Sequence, residues 1–360
     1  MRSTTPLFPL TWLFLVLLLP PLTLQAQWRG GDLSFFPRME EAGYAYKDQQ
    51  GEVIPNVAGW MVDQGMNLAR LRIWHNPANG PEHALPDVLR EAVRFHEAGM
   101  DILIDFHFSD TWADPGAQHA PAAWADLSFE EAKAAMACWV ECTMGAFAAH
   151  GVTVDMVQLG NETNPGMMHP FGTLDNGFGN LAELLEAGHA AVETVSPDTQ
   201  IAVHYAGISG AQWYFTELQN AGYTPDVLAI SNYSKWHERD LEVLADELTA
   251  LSAAFNRPTL LAEVAYAWTT EWNDWTDNLW WYGDESDGYA FTPEGQRDYM
   301  VALRNAVDGL APGVCLGWCY WAPDWVSAMG PQATNGSAWE NAALWNFDGV
   351  ALPAWAAFQE

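Results

Sequence analysis

Basic residues are scarce in this chain of 360 residues, which has 14 lysines and arginines against 46 aspartates and glutamates. Only three of the basic residues are lysines. The resulting net charge of −32 repels phosphate backbones and anionic lipid surfaces. The composition therefore argues against nucleic acids and membranes as partners and suits a neutral ligand better. Repulsion between copies of the chain also favours a monomer.

Cysteine is nearly as scarce, with Cys138 and Cys142 in one pair and Cys315 and Cys319 in another. Each pair is separated by four positions, the first on a predicted helix and the second on a predicted strand, and this spacing disfavours a local disulfide. No C-x-x-C or H-E-x-x-H motif is present to bind a metal. We therefore expect buried free thiols, with a bridge between the two pairs as the alternative in an exported protein.

The apolar run at residues 10–19 is too short to span a bilayer. It follows Arg2 and leads into a small-residue segment that ends at Ala26. This arrangement predicts a secretory signal peptide over residues 1–26 and export to the periplasm or the medium. No Gly/Ser-rich linker interrupts residues 27–360, so we expect them to form one domain.

Short apolar segments alternate with amphipathic segments along residues 27–360. The apolar segments predict eight strands, at residues 31–36, 66–74, 101–108, 155–160, 199–205, 227–233, 259–266 and 314–321. The amphipathic segments predict helices at residues 85–98, 130–149, 181–195, 241–255 and 293–310. A capping box at Ser128 and Glu131 and the pair Thr292-Pro293 indicate two helix starts. The alternation predicts an α/β fold, a single (β/α)8 TIM barrel.

Two glutamates stand where such a barrel places its chemistry. Glu162 follows the fourth predicted strand, and Glu263 lies inside the apolar seventh. A buried carboxylate is costly, so each one alone is explained equally well by an ion pair with Arg70 or Arg72. Together at the mouth of one barrel they favour retaining glycoside hydrolysis, in which two carboxyl groups about 5 Å apart act as nucleophile and acid/base.

Polar residues beside these glutamates are candidate substrate contacts. Asn161 is placed to hydrogen-bond a sugar hydroxyl, and Arg72 to lower the pKa of Glu263, with a structural ion pair as the alternative for Arg72. His107 follows Asp105 on one face of the third strand, where a core histidine is the alternative. Tryptophan rings stack on sugars, and four of them lie near predicted strand ends: Trp112, Trp236, Trp268 and Trp321.

The motifs together resemble the endo-β-1,4-galactanases of glycoside hydrolase family 53. The resemblance extends over most of residues 27–360 and is carried by the segments at 31–34, 70–74, 105–115, 160–162 and 262–263. It implies a (β/α)8 barrel and retaining hydrolysis of the β-1,4-galactan of type I arabinogalactan and pectin side chains, with Glu162 as acid/base and Glu263 as nucleophile. The substrate-binding candidates are then Arg72, His107, Asp110, Trp112, Asn161, Tyr233, Trp236, His237, Trp268 and Trp321.

The chain departs from the family at two places. Two tyrosines and a proline usually precede the Trp-His after the sixth strand, whereas residues 231–237 keep only Tyr233 and lack the proline. No cofactor is expected. Some bacterial members bind calcium in the loop after the seventh strand, and this loop lacks their ligand run. It offers other oxygen ligands that leave calcium open: Asn273, Asp274, Asp277, Asp284 and Asp287.

Two other functions compete with the galactanase hypothesis. One is a related retaining barrel hydrolase acting on another neutral β-glycan such as mannan or xylan. The other is a glycan-binding barrel without catalysis. The pair of Glu162 and Glu263 counts against the second, because binding a neutral sugar does not require two carboxylates.

Overall fold

A computed structural model of the protein describes residues 27–78, 80 and 82–359. The predicted signal peptide, residues 1–26, lies outside these residues. Eight parallel strands close into a barrel in which each strand pairs with its neighbours in the chain and the last pairs with the first. The strands are β1 (Trp28–Asp32), β2 (Leu68–Ile73), β3 (Asp101–Phe106), β4 (Met156–Leu159), β5 (Gln200–Ala206), β6 (Val227–Ser231), β7 (Thr259–Val264) and β8 (Cys315–Tyr320). The predicted TIM barrel is confirmed.

Helices surround the barrel and connect its strands. They are α1 (Phe36–Glu41), α2 (Val57–Asp63), α3 (Leu85–Ala98), α4 (Phe129–Ala149), α5 (Gly179–Val195), α6 (Ala211–Asn220), α7 (Leu241–Phe255) and α8 (Pro293–Asp308). The predicted ends of α3 and α7 are confirmed, whereas α1, α2 and α6 were not predicted. No helix among the described residues is both long and apolar enough to cross a membrane.

Two of the helix starts follow from local side-chain chemistry. Ser128 and Glu131 form the predicted capping box at the start of α4. Thr292 caps α8 by accepting a hydrogen bond from Gly295 N, and Pro293 occupies the first turn, where its missing N–H is not needed.

The cysteines are all free, but only two of them are buried. Cys315 and Cys319 lie in β8, as the expectation of buried thiols requires. Cys138 and Cys142 are exposed, contrary to that expectation. The reason is the orientation of α4. The helix buries a different face, which includes Met136 and Val140, and the two cysteines therefore lie on its exposed side. The alternating apolar pattern of that helix did not reveal which face was covered.

The interior of the barrel changes character along the strands. Its lower part is an apolar cluster, which includes Leu68, Leu103 and Met156. Two residues further along β2 and β3 the inward side chains are Arg70 and Asp105, both fully buried. Because parallel strands all run the same way, these polar residues meet at the carboxyl end of the barrel.

Candidate active site

The loop after β4 places Glu162 at the mouth of the barrel. Gly160 has φ +85°, and a Cβ added there would lie 2.6 Å from the Thr163 side chain. Glu162 itself has φ +45°, a conformation that costs on the order of 1 kcal/mol for a non-glycine residue. The Thr163 hydroxyl donates to the carbonyl of His204 at 2.9 Å and so holds the loop on β5. The strained backbone turns the Glu162 side chain into the cleft.

An irregularity in β7 turns Glu263 inward. Simple alternation puts Leu260 and Ala262 inside the barrel, and Glu263 should then point outward. The pairing of β7 with β6 shifts register between Ile230 and Ser231, which is typical of a β-bulge. Glu263 thereby points into the barrel, where it is 4% exposed.

The side chain of Ser231, the last residue of β6, lies between the two glutamates. Its Oγ is 2.7 Å from Glu162 Oε1 and 3.4 Å from Glu263 Oε2. Because both oxygens contact Ser231 Oγ, Glu162 Oε1 and Glu263 Oε2 are at most about 6 Å apart, a limit that admits the 5–5.5 Å spacing of retaining glycosidases.

Glu263 has two partners that stabilise its charge. Arg70 Nη1 lies 2.9 Å from Oε1, and the Tyr233 hydroxyl donates to Oε2 at 2.8 Å. Burial raises the pKa of Glu263, while Arg70 and the Tyr233 hydroxyl oppose that rise. Glu263 is therefore the glutamate that ionises more readily.

Glu162 has the opposite electrostatic setting. Burial and then the neighbouring charge of Glu263 raise the pKa of Glu162 to about 8, with Arg70 opposing and Asp114 adding to the rise. Near neutral pH the pair therefore holds its proton preferentially on Glu162, because Arg70 and Tyr233 stabilise the charge of Glu263. Two carboxyl groups whose pKa values are pushed apart are suited to acid and nucleophile roles.

Arg70 organises the barrel mouth. Its guanidinium lies 2.9 Å from Asp32, 2.8 Å from Asp105 and 2.9 Å from Asn161 Oδ1, in addition to its contact with Glu263. Burial lowers the pKa of Arg70, but the three surrounding carboxylates raise it above its ordinary value. Arg70 is therefore a permanent cation that holds the site together.

The ion pair with Glu263 was predicted for Arg72, and Arg70 makes it instead. Arg72 pairs weakly with Asp32 at 3.5 Å, and its guanidinium lies 4.2 Å from the ring centre of Phe35 and 4.3 Å from that of Trp112. It thus sits behind the cleft wall, two residues too far along β2 to reach the glutamate. Spacing alone did not distinguish the two arginines.

A cleft of about 600 Å³ opens at the barrel mouth. Among its lining residues are eight that the sequence predicted: Trp112, Asn161, Glu162, Tyr233, Trp236, His237, Glu263 and Trp321. Trp325 and Trp339, from the loop after β8, also line it and were not singled out. The cleft is therefore walled largely by aromatic rings, with the two glutamates at one place in its surface.

Three other predicted residues lie outside the cleft lining. His107 is buried, with Nε2 3.1 Å from Asp105 and Nδ1 accepting a hydrogen bond from Trp74. Asp110 accepts hydrogen bonds from the backbone N–H groups of Asn76 and Ala122 and so ties two loops together. The ring of Trp268 packs on Phe347, with ring centres 4.7 Å apart.

Two polar residues of the site were missed, Ser231 and His204, whereas Arg70 was considered only as a structural partner of the glutamates. His204 is fully buried, and its Nε2 lies 2.8 Å from Ser231 Oγ. A signal for both was present, because each is a polar residue at an inward position near the end of an apolar strand.

Two of the calcium candidates in the loop after β7 have other partners. Asp284 pairs with Lys235 at 2.8 Å, and Asp274 Oδ1 accepts from Thr276 N at 2.7 Å. Within the part of the chain that the structure describes, no three His, Cys, Asp or Glu residues are grouped to hold a metal ion. Calcium binding by this loop stays a prediction.

The model of glycosyl hydrolase family 53 matches residues 28–358. The chain belongs to glycosyl hydrolase family 53. It is 34% identical to the arabinogalactan endo-β-1,4-galactanase of Cellvibrio japonicus over 92% of this chain and 90% of that protein. The endo-β-1,4-galactanase of Bacillus subtilis is 29% identical over 92% of this chain and 85% of that protein.

Solved family 53 structures show the same barrel. The family 53 catalytic domain of Ignisphaera aggregans has a TM-score of 0.86 at 33% identity, with 92% of this chain and 95% of that chain covered. A fungal β-1,4-galactanase structure has a TM-score of 0.80 at 26% identity, with 92% and 98% covered. The family 53 protein described here is accordingly a glycoside hydrolase.

Proposed function

We propose that this protein is a secreted endo-β-1,4-galactanase that cleaves the β-1,4-galactan of type I arabinogalactan and pectin side chains with retention of configuration. The observation that carries the proposal is the pair Glu162 and Glu263, which share the Ser231 hydroxyl and differ in their charge partners. The named activity of the relatives supplies the substrate, which is a neutral polymer and so compatible with a chain of net charge −32.

In the first step, the ionised carboxylate of Glu263 attacks the anomeric carbon and forms a glycosyl ester. The glycosidic C–O bond breaks, and Glu162 transfers its proton to the leaving oxygen. Arg70 and Tyr233 hold the attacking carboxylate in place.

In the second step, Glu162 is a carboxylate and acts as base. It takes a proton from a water molecule whose oxygen attacks the anomeric carbon, and Glu263 leaves as a free carboxylate. The raised pKa of Glu162 supports both roles, because a group with a pKa near the working pH gives up and recovers a proton readily.

The galactan chain lies against the aromatic cleft wall in this proposal. Its sugar rings stack on tryptophans, and its hydroxyls bond the polar groups between them. The proposed direct contacts are Trp112, Asn161, Tyr233, Trp236, His237 and Trp321, all in the cleft lining. Arg72, His107, Asp110 and Trp268 act indirectly, by holding the loops that carry those contacts.

Export and assembly are part of the same proposal. A signal peptide over residues 1–26 would leave a monomeric catalytic domain of residues 27–360. Amino-terminal sequencing of the exported protein is expected to begin at Gln27, and its elution on a sizing column is expected at the mass of one chain. A retained leader would contradict export by this route.

The substrate is tested by reducing-sugar release from linear β-1,4-galactan, mannan, xylan and cellulose, with the products sized. We expect short galacto-oligosaccharides from galactan alone. Cleavage of another glycan but not galactan would be consistent with the proposed mechanism and would show that the substrate is a different polymer. Binding of galactan without cleavage of any of the four polymers would instead support the non-catalytic barrel.

A further inference from the structure

The hydrogen bonds behind Glu162 have a direction that can be worked out from Arg70. An arginine guanidinium only donates, so the Asn161 atom 2.9 Å from Arg70 Nη2 is an accepting oxygen, Oδ1. The other end of the same amide agrees, because Nδ2 lies 2.8 Å from the Ala113 carbonyl, which only accepts. The orientation of the Asn161 amide is thereby fixed at both ends.

The same reasoning fixes the proton on His204. Burial, and then the charge of Arg70, hold the pKa of His204 well below its ordinary value, so the ring is neutral and carries a single N–H. Its Nδ1 lies 2.8 Å from Asn161 Oδ1, which is an acceptor. The N–H is therefore on Nδ1, and Nε2 accepts.

Two donors also lie near His204 Nδ1, both at longer range than Asn161 Oδ1. Gln158 Nε2, at 3.1 Å, has better acceptors in Asp105 Oδ1 at 2.6 Å and the Gly160 carbonyl at 3.2 Å. The backbone N–H of Glu162 points at Nδ1 from 3.4 Å, a long and weak contact that this tautomer gives up. The short contact with Asn161 consequently decides the tautomer.

Ser231 comes next in the chain of hydrogen bonds, and it has only one proton to donate. His204 Nε2, an acceptor, is 2.8 Å from its oxygen, and Glu162 Oε1 is 2.7 Å away. Glu263 Oε2 is more distant at 3.4 Å and already accepts from Tyr233. If Ser231 donates to His204, its oxygen is left to accept from Glu162.

We propose that in the free enzyme Ser231 donates to His204 and accepts a hydrogen bond from Glu162, so that the network fixed by Arg70 holds Glu162 as a carboxylic acid. Ser231 and His204 are then positioning residues for the acid of the proposed reaction. This inference rests on the proposed function for its catalytic meaning, but the direction of the hydrogen bonds does not.

Other charged groups also face Glu162 and act in parallel. Glu263 on β7 and Asp114 in the loop after β3 favour the protonated acid, and Arg70 on β2 favours the ionised one. A substitution at Ser231 or His204 leaves all three in place. Any change in the titration of Glu162 can then be assigned to the hydroxyl and the imidazole.

The test is the pH titration of the Glu162 carboxyl carbon by NMR in protein labelled with ¹³C-glutamate. Its signal is assigned as the one missing from Glu162→Gln. In Ser231→Ala the acid form loses its acceptor, so we expect the pKa of Glu162 to fall by about one unit. In His204→Phe the hydroxyl is free to donate to the carboxylate, and we expect at least as large a fall.

Three control variants distinguish the loss of the hydroxyl from other effects of substitution. Ser231→Thr retains the hydroxyl and should titrate like the parent, whereas Ser231→Ala combined with His204→Phe should titrate like Ser231→Ala alone. Ser234→Ala removes a buried hydroxyl that contacts neither glutamate and should change nothing. If His204→Phe fails to fold, the alanine and threonine variants still decide the question.

A rise of the pKa in Ser231→Ala would overturn the proposal, because it would mean that the hydroxyl donates to the carboxylate. An unchanged pKa in Ser231→Ala would also overturn the proposal and would show that Ser231 only packs against its neighbours. The alkaline limb of kcat/KM should follow the NMR titration in each variant. A protein that cleaves no galactan refutes the proposed function, while the titration still tests the hydrogen-bond direction.

Discussion

The lower and upper parts of the barrel interior are built by the same strands and have opposite chemistry. The lower part is an apolar cluster that includes Trp28, Leu68, Leu103, Met156 and Ala229. In the upper part the same strands contribute fully buried polar side chains, among them Asp32, Arg70, Asp105, Gln158 and Ser231. The two regions share their geometry, so the difference in side chains alone separates a stabilising layer from a reactive one.

The upper region is stable only because its charges are paired. An isolated buried carboxylate or guanidinium costs several kcal/mol, and Arg70 offsets this cost by contacting Asp32, Asp105 and Glu263 together. The lower region needs no such pairing. Substitutions in the upper region should therefore affect activity first, and those in the lower region stability alone.

The largest effect is expected at the proposed nucleophile. Glu263→Gln removes the attacking carboxylate with little change in shape, so reducing-sugar release from galactan should fall by about 10⁴-fold or more. Circular dichroism and calorimetric binding of galacto-oligosaccharides should remain close to the parent. Glu91→Gln, a change at a buried glutamate of α3 outside the barrel, should leave turnover intact. Full activity in Glu263→Gln would remove this residue from the mechanism.

The second effect concerns Arg70. A lysine in Arg70→Lys cannot contact all of its partners, so kcat should fall by about 10²-fold to 10³-fold and stability by about 3–5 kcal/mol. Arg72→Lys should cost less than about tenfold, because Arg72 does not contact Glu263. Steady-state kinetics and urea unfolding measure the two effects. Equal losses in both variants would contradict the assignment of Arg70 as the organiser.

Much of this comparison could be predicted from the sequence. Seven of the eight strands, the barrel and the positions of Glu162 and Glu263 at strand ends follow from apolar periodicity and from the cost of burying a carboxylate. The first strand was predicted at residues 31–36 and lies at Trp28–Asp32 instead. The predicted strands β3, β6 and β7 each end two residues later than the observed ones. The extra residues belong to segments that leave the sheet to form the site. Periodicity does not show where a strand stops pairing with its neighbours.

The side-chain partners could not be predicted in the same way. Arg70 and Arg72 both point inward, and which one reaches Glu263 depends on a register shift in β7 that the sequence does not reveal. Trp268 lies near a strand end as Trp321 does, but it packs on Phe347 rather than lining the cleft. Such outcomes depend on contacts between segments far apart in the chain.

A substitution in the lower region should affect stability and leave catalysis intact. Leu103→Ala leaves a cavity in the apolar cluster, so the free energy of unfolding should fall by about 2–5 kcal/mol. Because no polar contact of the site is lost, kcat at a temperature where the variant stays folded should remain within about twofold. A large loss of kcat in the folded variant would show that the two regions are not independent.

The smallest effect is expected at a buried acid that does not contact Arg70. Asp324, after β8, is fully buried, and its carboxyl oxygens have no hydrogen-bond partner. Burial raises its pKa to about 8, above the value in the unfolded chain. Folding then binds a proton, and the stability from this group is full below about pH 4 and is lost as the pH rises toward 8.

Asp324→Asn removes this titration. The stability of the variant relative to the parent should therefore increase with pH, with a gain of about 1–3 kcal/mol at pH 8 compared with pH 5. Urea unfolding of both proteins at the two pH values measures it. A difference that stays constant with pH would show that Asp324 does not change protonation on folding.

The proposed double displacement depends on the two carboxyl groups that the upper region brings close together. The most direct measurement is the anomeric configuration of the first product, followed by ¹H NMR during the hydrolysis of β-1,4-galactan oligosaccharides. The β-anomer should appear first and then mutarotate to the equilibrium mixture. Initial release of the α-anomer would mean direct attack by water and would contradict the assignment of Glu263 as nucleophile.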